Sequence, residues 1–250
     1  MILSGIDLLM DQIIKSKYIV ALIGAGMSTN AGITDFRGPK GLYNRKDIPA
    51  DKLFDIEYFR QDPTLFYTYI GELLDSFLNA KPTRGHLLLK KLEDLGKLKM
   101  VVSQNIDGLH QKAGIKNIID IHGNFEKNHC VSCMKEYASD DKFRQIILQF
   151  KNKKELPLCP SCGGVLKPDV VFFGEPVKDL ELALTEVQKA DLLIAIGTSL
   201  TVYPVSTLPS YLSDTARLAI INSTDTPYDS KAKIIINEDI DTVAEKLKFN

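Results

Sequence analysis

The chain reads as an α/β protein built on a doubly wound, mostly parallel sheet, with a small second domain made of two insertions. Three observations predict this. Apolar, strand-like runs alternate with helical periodicities along most of the 250 residues. Most of those runs lack in/out alternation, as strands covered on both faces do. Two stretches break the rhythm, and one of them holds all four cysteines.

At the N-terminus, Leu3, Ile6, Leu9, Ile13 and Ile14 sit at helical spacing and predict an amphipathic surface helix. Asp7, Asp11 and Lys15 interrupt it and no basic start precedes it, so it does not read as a signal peptide. Strand-like runs follow at 18–24, 99–105, 118–123, 191–197, 217–222 and 233–237, with helical patterns at 83–96, 180–190 and 241–249. Residues 1–37, 82–125 and 167–250 are therefore expected to form the Rossmann-like domain. Residues 38–81, rich in Phe and Tyr, and residues 126–166, which carry the cysteines around a polar helix, are expected to pack together as the small domain.

The net charge of -1, with both signs mixed, gives no basic face for general nucleic-acid binding. No stretch approaches the ~18 apolar residues of a membrane span. A cytoplasmic protein is expected. A disulfide framework confined to two CxxC pairs would be unusual there.

The pairs Cys130/Cys133 and Cys159/Cys162 instead suit tetrahedral zinc in a closed, structural, ribbon-like site. The 25 residues between the pairs (134–158) exceed the usual ribbon spacing of about 15–20, and the polar helix accounts for the excess. His129 precedes the first pair, but four cysteines already complete a shell.

The first strand runs into GAGMSTNAGITDFRG (24–38). Gly24 and Gly26 match the first two positions of a dinucleotide-binding turn, whose N–H groups face an anion, but the third position is Thr29. A plain strand-to-helix turn explains GxG equally well. Asp35, Phe36 and Arg37 follow as a carboxylate, an aromatic face and a guanidinium. Taken alone, a core plug and an Asp35–Arg37 pair explain them better.

Three further strand ends change the balance. SQNID offers Gln104, Asn105, Ile106 and Asp107; IIDIHG ends in His122; DLLIAIG ends in Gly197-Thr198-Ser199. In open α/β sheets ligands bind where such ends converge. A histidine there can act as general base near neutrality.

GAGMS, GITDFRG, SQNIDGLH, HG, two CxxC pairs, KPDVVFFGE, GTSLTVYP and Ile221-Asn222 occur in the order found in the sirtuin family. The chain resembles a bacterial NAD-dependent protein deacylase of catalytic-core size. Ser103 stands where Thr is common and Thr34 where Pro or Ser is usual. The resemblance implies NAD consumed as a co-substrate, one structural Zn²⁺, and acyl-lysine proteins or peptides as substrates, with no direct nucleic-acid or membrane partner. It implies that Ala25, Thr29 and Arg37 hold the pyrophosphate and its ribose, and that Phe36 covers the nicotinamide side. Gln104, Asn105, Ile106 and Asp107 would line the nicotinamide-ribose pocket, with Asp107 gripping the carboxamide. Thr198, Ser199, Asn222, Ser223 and Ile240 would bind the adenosine half, and Gly24, Gly26 and Gly197 complete the set.

The catalytic residues implied are His122 and Asn105. The acyl oxygen would attack the ribose as nicotinamide leaves, giving an alkylamidate. His122 would then deprotonate a ribose hydroxyl that attacks it. The peptide would pair in strand fashion with Val171, Phe172, Phe173, Gly174 and Glu175. Relatives that prefer acidic acyl groups carry Tyr and Arg where this chain has Ile70 and Leu73, so neutral acyl groups are expected. The rivals are a sirtuin-type ADP-ribosyltransferase, a non-catalytic NAD-sensing module and, more remotely, a dehydrogenase.

Overall fold

The computed structural model describes residues 4–35, 41 and 49–247. In chain order the elements are α1 (Gly5–Lys15), β1 (Ile19–Ile23), α2 (Ala50–Leu53), α3 (Ile56–Gln61), α4 (Thr64–Asn79), α5 (Arg84–Asp94), β2 (Leu98–Ser103), α6 (Leu109–Lys112), β3 (Ile118–Asp120), β4 (Gly123–Cys130), β5 (Glu136–Ala138), α7 (Asp141–Lys153), β6 (Leu166–Val170), α8 (Leu180–Lys189), β7 (Leu192–Ile196), β8 (Arg217–Ile221), β9 (Ile234–Ile236) and α9 (Ile240–Lys246).

Six strands form one sheet in the order β3-β2-β1-β7-β8-β9, and every pairing is parallel. The order reverses between β1 and β7, which opens a crevice at their carboxyl ends. All five residues of β1 and of β7 are buried, as expected of apolar runs covered on both faces. One face packs on α1, α5 and α9 through Leu9, Ile13, Leu89, Leu92 and Val243. The other packs on α8 and the 3₁₀ turn Val205–Tyr211 through Ala183, Val187, Val205 and Leu208.

Ser4 and Asp7 cap α1 reciprocally, and Leu9 and Ile13 form its buried stripe. Ile14 departs from the expected stripe: it is 60% exposed, because it falls outside the arc facing the sheet. The 118–123 run pairs only over Ile118–Asp120. The Ile121 N–H still reaches the Ser103 carbonyl, and the chain then turns at Gly123, whose φ is 70°.

A second, antiparallel sheet, β5-β4-β6, is not evident from periodicity. Its strand GNFEKNHC is too polar to read as a core strand, and it pairs because the cysteine loops fold it back. A third apolar cluster joins α3, α4, α7 and β6. Phe59, Phe66, Tyr67, Phe150 and Phe172 form it, with ring centroids 5.0 to 5.9 Å apart in edge or tilted contacts. Each such ring stabilises by about 1.5–3 kcal/mol through burial. Helices α4 and α7, from the two insertions, thus lie against each other, and the Lys151–Glu72 pair at 2.7 Å closes the outer edge.

Candidate active site

The carboxyl ends of β1, β2, β3, β7 and β8 deliver Gly24–Gly26, Gln104–Ile106, His122, Gly197–Ser199 and Asn222–Thr224 to one cleft of about 580 Å³. Asp35, Phe54 and the whole segment 170–175 also line it, as do Val202, Tyr203 and Pro204. Parallel strands pointing their ends the same way make this convergence inevitable once the order reverses between β1 and β7.

After β1 the chain enters a 3₁₀ turn, Ala25–Ala31. The Gly24 N–H donates to the Ile196 carbonyl at 3.0 Å and the Gly26 N–H to the Gly197 carbonyl at 2.9 Å. A Cβ on Gly26 would stand 2.7 Å from the Gly197 Cα. The glycines let two strand-end loops touch, which corrects the expectation that both amides face an anion. Of the three residues, only Ala25 is without such a bond to the β7 loop.

Behind the turn, Ser28 is fully buried. Its hydroxyl donates to the Asp107 carboxylate at 2.7 Å and accepts from the Asn105 Nδ2 at 3.2 Å. The Leu109 N–H holds the other Asp107 oxygen at 2.8 Å. Burial pushes the Asp107 carboxyl up, and the Ser28 and Leu109 bonds pull it back. The Gln104 amide donates to the Thr198 hydroxyl at 3.0 Å and to the Ile23 carbonyl at 3.2 Å, tying three strand ends together. Polar side chains at these ends are thus satisfied by one another: Gln104, Asn105 and Thr198 line the cleft, and Ser28 and Asp107 support them from behind.

His122 places Nδ1 3.0 Å from the Gln104 carbonyl. A carbonyl only accepts, so Nδ1 carries the proton and Nε2 keeps its lone pair. Burial pushes the imidazole below its ordinary range, partly offset by that carbonyl. The ring is a neutral base at pH 7.

Segment 171–175 is not a strand, since β6 ends at Val170. The Val171 N–H donates to the His122 carbonyl at 2.8 Å, and Phe173 exchanges backbone bonds with Phe54 and Ile56. The Glu175 N–H returns to the Phe172 carbonyl at 3.0 Å, closing a turn in which Gly174 has φ 92°.

The four cysteine Sγ atoms converge within 4.8 Å of one another. Cys130 and Cys162 are 3.4 Å apart and Cys133 and Cys159 3.7 Å. Zn–S bonds of about 2.3 Å at tetrahedral angles need S···S near 3.8 Å. The Ser132 and Cys133 N–H groups point at the Cys130 sulfur, at 3.4 and 3.5 Å, as expected around a thiolate knuckle. The donor set fits a structural zinc. His129 is not in the cluster; its Nδ1 faces Asp169 at 3.9 Å.

The Sir2 family model matches residues 24–204, which spans the cleft and the cysteines. The chain belongs to the Sir2 family. It is 40% identical to an NAD-dependent protein deacetylase of Saccharolobus solfataricus, over 96% of this chain and 94% of that protein. It is 43% identical to one of Clostridium perfringens, over 95% and 96%. Among solved structures, a Sir2 complex with a p53 peptide and NAD⁺ has a TM-score of 0.84 at 37% identity, covering 97% of this chain and 96% of that one. Sir2Tm bound to a propionylated peptide has 0.83 at 36%, covering 96% and 95%.

Within this Sir2-family chain the structure brings together Gly24, Ala25, Gly26, Gln104, Asn105, Ile106, His122, residues 171–175, Gly197, Thr198, Ser199, Asn222 and Ser223. Three expected cofactor residues do not line the cleft. Thr29 is exposed and its hydroxyl bonds to the Gly26 carbonyl. Asp107 sits behind Asn105 with both carboxylate oxygens engaged. Ile240 is 5% exposed and packs in the core near Met27 and Gly85. Phe36 and Arg37 lie outside the described residues. Ile70 is fully buried and Leu73 packs against the same aromatic cluster; neither lines the cleft. Sequence reasoning missed Ser28, which in the run Ser28-Thr29-Asn30 is set apart from its polar neighbours only by its burial, and the Val202-Tyr203-Pro204 wall.

Proposed function

We propose that this chain removes acetyl and other neutral acyl groups from protein lysine side chains, consuming NAD. The observation that carries the reading is the convergence of a neutral His122 with the fixed amides of Gln104 and Asn105 at the strand-end cleft. It is supported by the deacetylase names of relatives 40% or more identical over nearly the whole chain.

In the proposed reaction the acyl oxygen of the substrate amide bonds to the ribose carbon as the bond to nicotinamide breaks. Asn105 and Gln104 orient the ribose, and 171–175 seats the peptide. His122 Nε2 then takes a proton from a ribose hydroxyl, whose oxygen bonds to the acyl carbon. Water completes release, leaving free lysine and O-acyl-ADP-ribose. When bound, zinc holds the cysteine loops and supplies no chemistry in the cleft, because four thiolates fill its shell.

We read 38–81 and 126–166 as one small domain, supported by the α4–α7 packing. The cytoplasm is the proposed compartment, since the CxxC thiols require reducing conditions; among the described residues no helix is long and apolar enough to cross a membrane.

The test is to incubate the protein with an acetyl-lysine peptide, with and without NAD, and identify every product by mass spectrometry. Acetyl loss matched by nicotinamide and O-acetyl-ADP-ribose is expected. Nicotinamide release with the acetyl group intact and a sugar mass on protein would replace this reading with ADP-ribosyl transfer.

A further inference from the structure

Strand β6 carries a lysine at a position with no access to water: Lys167 is 1% exposed. Its ammonium lies 2.6 Å from the Val170 carbonyl, 2.8 Å from Glu175 Oε2 and 4.1 Å from the centre of the Phe172 ring. That same Oε2 accepts the Phe172 N–H at 2.8 Å. The turn 172–175, which lines the cleft on one side, is therefore anchored to one buried cation on the other, directly at Val170 and Phe172 and through Glu175. Lys167 itself does not line the cleft.

The anchor also has a fixed base. In the antiparallel sheet Lys167 is paired with His129, and its neighbour Leu166 with Cys130, the first of the four clustered cysteines. The cation therefore stands between the cysteine-bearing sheet and the cleft wall. Without it, the Glu175 carboxylate, 22% exposed, would gain more from water than from a buried site with no counter-charge. Moving out, it would release the Phe172 N–H and open the turn.

We propose that Lys167 is a positioning residue that holds the 171–175 segment in the shape that receives substrate peptide, linking the zinc-bearing sheet to substrate binding. This rests on the reading of 171–175 as the peptide-binding segment. The role differs from mere support of the fold, because it acts on peptide affinity and leaves NAD binding and turnover at saturation in place.

The experiment compares wild type, K167M and K167R as full-length, zinc-loaded protein. It measures the KM for an acetyl-lysine peptide, the KM for NAD, kcat and bound zinc. K167M is expected to raise the peptide KM at least tenfold, with kcat and the NAD KM within about twofold and zinc retained. K167R, which keeps a cation for Glu175, is expected within about threefold of wild type. If K167M is insoluble, K167Q, which keeps a donor for the Val170 carbonyl but no charge for Glu175, takes its place, with the same direction of change in peptide KM. An unmoved peptide KM, or losses in kcat and NAD affinity that track lost zinc, overturns the proposal. A second peptide, N-methylated on the residues flanking the acyl-lysine, separates the two layers with wild-type enzyme. If methylation leaves affinity unchanged, the segment reading falls and the Lys167 proposal with it. If methylation costs tenfold and K167M costs nothing, only the Lys167 proposal falls.

Discussion

The Nδ1 of His122 lies 3.0 Å from the backbone carbonyl of Gln104, so the end of β2 fixes the tautomer of the imidazole that follows β3. Two adjacent parallel strands thereby set which nitrogen is free to take a proton. Since burial lowers the pKa below 6.5, the base form should persist through neutral pH. We expect kcat/KM to be flat near pH 7 and to fall only as pH drops below about 6.5. His122→Ala should abolish acyl transfer while zinc content and the far-UV spectrum stay normal. An acid limb centred well above pH 6.5, or turnover by that variant, would remove His122 from the role of base.

Ser28 bridges, through its hydroxyl, the Asp107 carboxylate, at 2.7 Å, and the Asn105 side-chain amide, at 3.2 Å. Replacing it by Ala leaves a buried carboxylate oxygen unpaired, at a cost of about 1–3 kcal/mol. We expect Ser28→Ala to lower kcat/KM by one to two orders of magnitude and to reduce stability modestly, read by peptide deacylation and urea melts. Full activity in the variant would show that Asn105 does not depend on this support.

Zinc removal should act on the fold rather than on the chemistry. Cys159→Ser breaks a closed four-thiolate set, so bound zinc and thermal midpoint should drop together. A stable, zinc-free and fully active Cys159→Ser protein would refute the structural role.

His86 and His110 pack with ring centres 4.5 Å apart, and both Nε2 atoms are buried with no hydrogen-bond partner among the described residues. Burial lowers the His86 pKa from 6.5 to about 4 and pushes His110 well below 6.5. The unfolded chain takes up these protons near 6.5 while the folded one does not, so stability is full above pH 6.5 and declines as pH falls toward 4. His86 alone contributes about 3 kcal/mol to that decline. Urea midpoints at pH 7.5 and pH 5 measure it; equal midpoints would contradict the buried neutral pair.

Among the described residues, the ordinarily charged side chains lining the cleft are Asp35 and Glu175, both acidic. A succinyl group would enter with no cation to receive it. Acetyl- and propionyl-lysine peptides should be processed at least a hundredfold faster than the succinyl peptide in matched kcat/KM assays. Comparable rates would point to a cation supplied from elsewhere in the chain.

The α/β architecture was legible because the central strands of the large sheet are buried on both faces and so appear as unbroken apolar runs such as Leu192–Ile196. The cysteine pairs were legible because metal coordination demands a spacing that chance rarely supplies. The cleft residues Gln104, Asn105 and His122 stood out for a related reason: polar groups at the ends of buried strands need partners, and the chain placed several such ends in one topology. What the sequence could not reveal depends on contacts between distant segments. Ser28 and Asp107 are 79 positions apart, and only folding puts their oxygens 2.7 Å from each other. Gly26 reads as a phosphate turn until the Gly197 loop is seen against it. Nothing in the local sequence marks Lys167 as buried, yet the pairing of β6 with β4 turns it inward toward Glu175. By itself the sequence determined the strands and helices of the large sheet, that four thiols bind together, and which polar residues end those strands, since these follow from local periodicity and spacing. The tertiary structure alone decided which of those residues face the cleft and which support it from behind, because burial and hydrogen-bond partners are properties of packed surfaces and not of neighbours along the chain.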